Sequence, residues 1–244
     1  MAAEEKIGLA ISGGGARGAA AIGVLRVLER AGIRPDCVAG TSAGAIVGAL
    51  YCCGYSADKL ADIYCSQNWS RLIRRRSFTD VFDNLTGNSK SIDFDTLPIP
   101  FRCVATRLSD YSEQVLSKGR LSECVAASAA MPVLFPPVTI GGERLADGGM
   151  VNNLPTDVVA RMGATVIIAI DLQQITFWQT RFSLKDTIGI GGILHWAVSH
   201  PEVQRYRRNI RSADIYIKPP LRAIDGYLFS NSRCRRMVEI GERL

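Results

Sequence analysis

Two stretches decide the fold. Residues 7–18 read Ile7-Gly8-Leu9-Ala10-Ile11-Ser12-Gly13-Gly14-Gly15-Ala16-Arg17-Gly18, and residues 37–44 read Cys37-Val38-Ala39-Gly40-Thr41-Ser42-Ala43-Gly44. Each is a short apolar run that breaks on a glycine-rich turn. An apolar run without alternation fits a strand covered on both faces, as in a parallel sheet. After the first turn, residues 19–30 place Ile22, Val24, Leu25, Val27 and Leu28 at helical spacing, and Gly32 is positioned to end that helix. Residues 33–39 read as a second strand, residues 40–44 as a turn and residues 45–53 as a second helix. Strand, turn and helix in alternation predict an α/β fold with a mainly parallel central sheet flanked by helices.

The pattern continues outward. Residues 101–105 read as a strand, and residues 122–131 as a short helix stopped by Pro132. Residues 138–145 form a hairpin turning at Gly141-Gly142. Residues 155–162 form a helix with proline in its first turn, and residues 165–170 a strongly apolar strand. Residues 66–98 are polar and irregular and read as a flexible excursion or lid. The C-terminal third is less regular. Ser230 is placed to cap a last helix that runs to Leu244 without a stop signal, so the natural chain is expected to continue.

Composition sets outer limits. The 244 residues are 47% hydrophobic and 21% charged, which excludes disordered, collagen-like and coiled-coil chains. No apolar stretch approaches the roughly 18 residues that span a bilayer, and the polar N-terminus lacks the apolar region of a secretory signal. The seven cysteines are odd in number, contain no CxxC, and read as buried thiols rather than a disulfide framework or zinc site. Only two histidines are present, His195 and His200, so histidine-based catalysis must recruit one of them. The formal charge is +6, and +5 of it falls in residues 200–244; a second cluster is Arg71, Arg74, Arg75 and Arg76. An anionic membrane surface fits these clusters. No nucleic-acid module is visible, so nucleic acid is not an expected partner.

Three motifs carry chemistry. Gly40-Thr41-Ser42-Ala43-Gly44 is a G-x-S-x-G between strand and helix, where a tight turn exposes a serine hydroxyl beside a helix N-terminus. Gly13-Gly14-Gly15-Ala16-Arg17-Gly18 can turn several backbone N–H groups toward an oxyanion. The same letters spell the dinucleotide fingerprint G-x-G-x-x-G, whose acidic partner is expected about 20 residues on, near Asp36. A non-catalytic dinucleotide- or lipid-binding module is therefore the alternative function. Asp147-Gly148-Gly149 presents an aspartate beside two glycines that leave it uncovered, although a plain Asp-Gly turn has the same letters.

In this order, together with ASAAMPVLFPPV at 127–138 and MGATVIIAIDL at 162–172, the motifs resemble the patatin-like phospholipase family, specifically bacterial members similar to neuropathy target esterase. The resemblance covers residues 6 to 172 and implies a three-layer patatin-like fold. It divides the chain into a catalytic core, 1–172, and a C-terminal part of the same domain, 173–244. It implies a lipid acyl hydrolase of the phospholipase A or lysophospholipase type that needs no cofactor and no metal. Ser42 would be the nucleophile and Asp147 the general base of a Ser–Asp dyad. Gly13, Gly14 and Gly15, with Arg17 close by, would form the oxyanion hole, supported by Gly18, Gly40, Gly44, Gly148 and Gly149.

A free aspartate, with a pKa of about 3.9, is a weak base for an alcohol, so the dyad must use desolvation and close positioning. The competing assignment is a Ser42–Asp171–His195 triad. Substrates are expected to be phospholipids or lysophospholipids, with peripheral contact to anionic membrane. The setting is expected to be bacterial, cytoplasmic or peripheral, or else a domain of a longer exported protein.

Overall fold

The computed structural model describes residues 5–74, 78–87, 90–174, 203–221 and 230–244. The chain opens with β1 (Ile7–Ile11), a single 3-10 turn at Gly15–Arg17 and α1 (Gly18–Arg30). Gly32 ends α1 at φ 72°: its N–H donates to the Glu29 carbonyl, and the Ile33 N–H donates to the Leu28 carbonyl. This is the glycine-terminated cap expected from the sequence. β2 (Cys37–Thr41) and α2 (Ala43–Cys52) follow. β2 starts later than expected because Pro35 has no N–H to give and Asp36 already closes a corner, its N–H donating to the Ile7 carbonyl. The turn is also tighter than expected, since one residue, Ser42, separates strand from helix.

Next come α3 (Ala57–Ser66), α4 (Trp69–Arg74), α5 (Phe78–Thr86) and β3 (Ser91–Asp93). This corrects the reading of residues 66–98 as an irregular excursion. Tyr64, Trp69, Phe78 and Phe82 form a buried row with successive ring centroids 5.5, 6.0 and 5.1 Å apart. Four aromatics spread over short polar helices bury enough apolar surface to order the segment, and no single helical period reveals them.

The remaining elements are β4 (Phe101–Arg107), β5 (Glu113–Leu116), β6 (Lys118–Arg120), α6 (Leu121–Ser128), β7 (Val138–Ile140), β8 (Glu143–Asp147), α7 (Thr156–Arg161), β9 (Val166–Ile170), α8 (Val203–Arg211), β10 (Ile215–Ile217) and α9 (Asn231–Glu242). β10, β9, β1, β2 and β4 lie side by side and parallel. Leu9 and Ile11 face a helical layer built on α1, α2, α3, α6 and α9, while Ala10, Ala39 and Ile167 face α7. The result is three layers, helices on both faces of a mainly parallel sheet. α9 packs so closely on α1 that a Cβ at Gly241 would strike the Ala20 carbonyl, and one at Gly23 the Val238 carbonyl.

The pairing of β4 positions the site. Cys103 and Val104 pair with both β2 and β5, and Ala105 and Thr106 pair with both β5 and β8. A strand has two edges, so β2 and β8 share one edge of β4 and meet end to end there. The end of β2 leads into Ser42, and the end of β8 is Asp147.

Candidate active site

Ser42 adopts φ 54° and ψ −119°, a region that costs a residue with a side chain roughly 1–3 kcal/mol. The packing around it admits no larger neighbours. A Cβ at Gly44 would collide with the Ile11 carbonyl, and one at Gly40 with the Gly44 carbonyl, so α2 can lie directly on β1 and β2 only with glycine at both positions.

Asp147 is held on every side. Its N–H donates to the Ala130 carbonyl at 2.9 Å, and its own carbonyl accepts from Thr106 Oγ1 at 2.7 Å. The carboxylate accepts from the Gly149 N–H at 2.7 Å through Oδ1 and from Ser42 Oγ at 2.6 Å through Oδ2. Both members of this pair are buried. Burial pushes the Asp147 carboxyl up from the ordinary aspartate value to about 6, against the lowering effect of the hydrogen bonds from Ser42 and Gly149. The group is thus a stronger base than a free aspartate and still ionised at neutral pH. A Cβ at Gly148 would strike the Val104 carbonyl, and one at Gly149 would come within 3.0 Å of Asp147 Oδ1.

The glycine loop lies beside Ser42. A Cβ on Gly13 would stand 3.1 Å from Ser42 Cβ. The Gly13 N–H is already given to the Asn153 carbonyl at 3.2 Å. Of the three glycines expected to supply oxyanion donors, Gly13 is therefore a tether. Gly14 and Gly15 have N–H groups that meet no acceptor among the described residues. Arg17 is partly exposed, and its N–H closes the turn on the Gly14 carbonyl at 3.2 Å. Tyr64 Oη donates to the Gly15 carbonyl at 3.1 Å and occupies the space that a Cβ on Gly18 would need.

Two sequence alternatives meet specific obstacles. Asp36 accepts the Ile7 N–H at 2.7 Å, at the opposite end of the sheet from the glycine loop, so it cannot serve a ribose bound there. Asp171 is fully buried, and its Oδ2 accepts from Tyr206 Oη at 2.6 Å, Tyr216 Oη at 2.5 Å and Lys218 Nζ at 2.8 Å. It braces α8 and β10 against the end of β9, and Ser42 has Asp147 instead. His195 lies outside the described residues.

Sequence reasoning missed several residues. Ser128 Oγ accepts the Ser42 N–H at 2.9 Å. Thr41 Oγ1 donates to the Asn152 carbonyl at 2.9 Å, and Asn153 Nδ2 donates to Gln173 Oε1 at 3.1 Å. Ser128 lies within the quoted stretch 127–138, and Asn152 and Asn153 follow Asp147-Gly148-Gly149 closely, but nothing in their spacing tells which distant group each one meets.

A family model for patatin-like phospholipase matches residues 9–160. The chain belongs to the patatin-like phospholipase family. Among its relatives, patatin-like phospholipase domain-containing protein 7 of Rattus norvegicus is 34% identical over 181 residues, covering 68% of this chain and 13% of its own length. Lysophospholipase NTE1 of Debaryomyces hansenii is 30% identical over 188 residues, covering 70% of this chain and 12% of its own length. This patatin-like chain thus spans roughly an eighth of the length of these curated relatives. VipD from Legionella pneumophila aligns with a TM-score of 0.50 at 16% identity, covering 97% of this chain and 67% of its own, a likeness of fold alone. Among the described residues of this patatin-like chain, no helix is long and apolar enough to cross a membrane.

Proposed function

We propose that the chain is a serine acyl hydrolase acting on lipid esters, phospholipids or lysophospholipids, with Ser42 as nucleophile and Asp147 as general base. The observation that carries this reading is the 2.6 Å hydrogen bond from Ser42 Oγ to Asp147 Oδ2, made by a strained strand-to-helix serine in a patatin-like chain. Asp147 takes the hydroxyl proton as Ser42 Oγ attacks the ester carbonyl, then returns it to the departing alcohol. Water next attacks the acyl-serine, gives its proton to Asp147, and the released Ser42 oxygen takes that proton back. The Gly14 and Gly15 amides hold the oxyanion in both steps, each such donor being worth about 3 kcal/mol.

Residues 1–172 and 173–244 act as one domain in this reading, since β10 extends the sheet beyond β9 and α9 covers α1. Docking on anionic membrane would use the exposed Arg71, Arg208, Arg211, Arg233, Arg235 and Arg236, at about 1 kcal/mol for each well-placed cation. Arg205 and Lys218 are engaged by ion pairs within the chain, Arg205 with Glu113 and Asp157 and Lys218 with Asp171.

The deciding experiment is hydrolysis of a lipid panel by the wild-type protein and Ser42→Ala side by side. The reading requires fatty-acid release from wild type and none from Ser42→Ala; turnover retained in that variant would end it. Binding to liposomes that ignored both salt and anionic lipid content would remove the electrostatic docking.

A further inference from the structure

The strained conformation of Ser42 has to be held by its neighbours. Its carbonyl accepts from the N–H groups of Ala45 and Ile46 at the start of α2, and its N–H donates to Ser128 Oγ at 2.9 Å. Ser42 is buried and Ser128 is completely so, and a buried N–H that loses its acceptor is costly. Ser128 is the last residue of α6, and the chain runs on to Ala130, whose carbonyl accepts the Asp147 N–H. A segment of three residues therefore grips the backbone of both members of a pair that is 105 residues apart in sequence. No other side chain among the described residues is bonded to the Ser42 amide.

We propose that Ser128 is a positioning residue for the Ser42 nucleophile: its hydroxyl anchors the strained elbow, and with the Ala130 carbonyl it makes the end of α6 a gauge for the Ser42–Asp147 separation. The inference rests on the reading of Ser42 as nucleophile. Ser128 touches no reacting atom and acts only through the Ser42 backbone. It also commits the Ser42 N–H, so that amide is not an oxyanion donor, and the task falls to the glycine loop. An oxygen–oxygen contact of 2.6 Å leaves little slack, and misplacement by about 1 Å can cost roughly a hundredfold in rate.

Ser122 supplies the control. It lies on the same helix, is completely buried, and its Oγ has no partner among the described residues. Wild type, Ser128→Ala, Ser128→Thr and Ser122→Ala are compared for turnover of a short acyl ester and for the rate of fluorophosphonate labelling at Ser42. Ser128→Ala is expected to lose roughly ten- to a hundredfold in kcat with KM within about twofold, and to label correspondingly slowly. Ser122→Ala is expected to match wild type in both, and Ser128→Thr, which keeps a γ-hydroxyl, to recover most of the loss. Wild-type kcat and labelling in Ser128→Ala would overturn the inference. So would a loss confined to KM, or one that Ser122→Ala reproduces. If Ser128→Ala does not fold, Ser128→Thr carries the test, and a deficit there as deep as that of Ser42→Ala overturns the inference. Failure of the wild-type protein to label at Ser42 would remove the nucleophile reading and this inference with it; a labelled wild type with an unaffected Ser128→Ala removes this inference alone.

Discussion

Ser42 Oγ donates to Asp147 Oδ2 across 2.6 Å because β2 and β8 meet end to end along one edge of β4. The sheet, rather than any local turn, brings the two side chains together. β4 is a common ruler: Thr41 pairs with Val104 and Asp147 with Ala105, so the residue that follows Thr41 faces the end of β8.

Removing either partner should therefore stop turnover while leaving the sheet intact. Ser42→Ala is expected to abolish ester hydrolysis. Asp147→Asn keeps the shape but cannot accept a proton, and should lose about 10²–10⁴-fold in kcat. Steady-state kinetics on a short acyl ester, with circular dichroism to confirm folding, checks both.

The raised carboxyl of Asp147 sets the pH dependence. Only the ionised form can act as base, so kcat/KM should fall as pH drops through about 6 and be flat above it, until another group titrates. The linkage runs the other way for stability. A folded pKa above the unfolded value means the folded state holds the proton more tightly, so this group's contribution is complete below about pH 4 and is lost as pH rises to about 6. Asp147→Asn should remove that loss and raise the neutral-pH melting temperature. A pH–rate profile and melting curves at pH 4 to 8 test the two signs.

Gly14 has no room for a side chain, since a Cβ there would stand 2.7 Å from Leu172 Cβ. Gly14→Ala should push the loop off its place and cost roughly ten- to a thousandfold in kcat, with KM little changed. Unchanged kcat in a folded Gly14→Ala protein would count against the loop as the oxyanion site.

The aromatic row carried by α3, α4 and α5 should behave as core rather than lid. Phe82 is fully buried and stacks on Phe78 at 5.1 Å. Phe82→Ala is expected to cost about 3–5 kcal/mol in denaturant unfolding. A change below about 1 kcal/mol would mean that the segment opens freely.

Much of this was legible in the chain itself. The apolar runs at Ile7–Ile11 and Val166–Ile170 are strands with the expected bounds or within a residue of them, because a strand buried on both faces leaves an unbroken apolar signature. The hairpin turns at Gly141 and Gly142, both at positive φ, as a tight turn requires. Residues 66–98 were not legible, because their order comes from aromatic contacts between separate short helices rather than from a period within any of them.

The sequence by itself determined which residue types stand at the turns: a serine between glycines, a glycine triplet, an aspartate before two glycines. These are local demands of tight backbone and need no knowledge of distant contacts. Only the tertiary structure decided which groups meet. The β4 register seats Asp147 beside Ser42; the Asn153 carbonyl takes the Gly13 amide and leaves those of Gly14 and Gly15 without an acceptor among the described residues; Tyr206, Tyr216 and Lys218 engage Asp171 away from Ser42; and the Ser128 hydroxyl takes the Ser42 amide. Each is a pairing between residues far apart in the chain, and spacing along a sequence carries no information about which distant strands will share an edge.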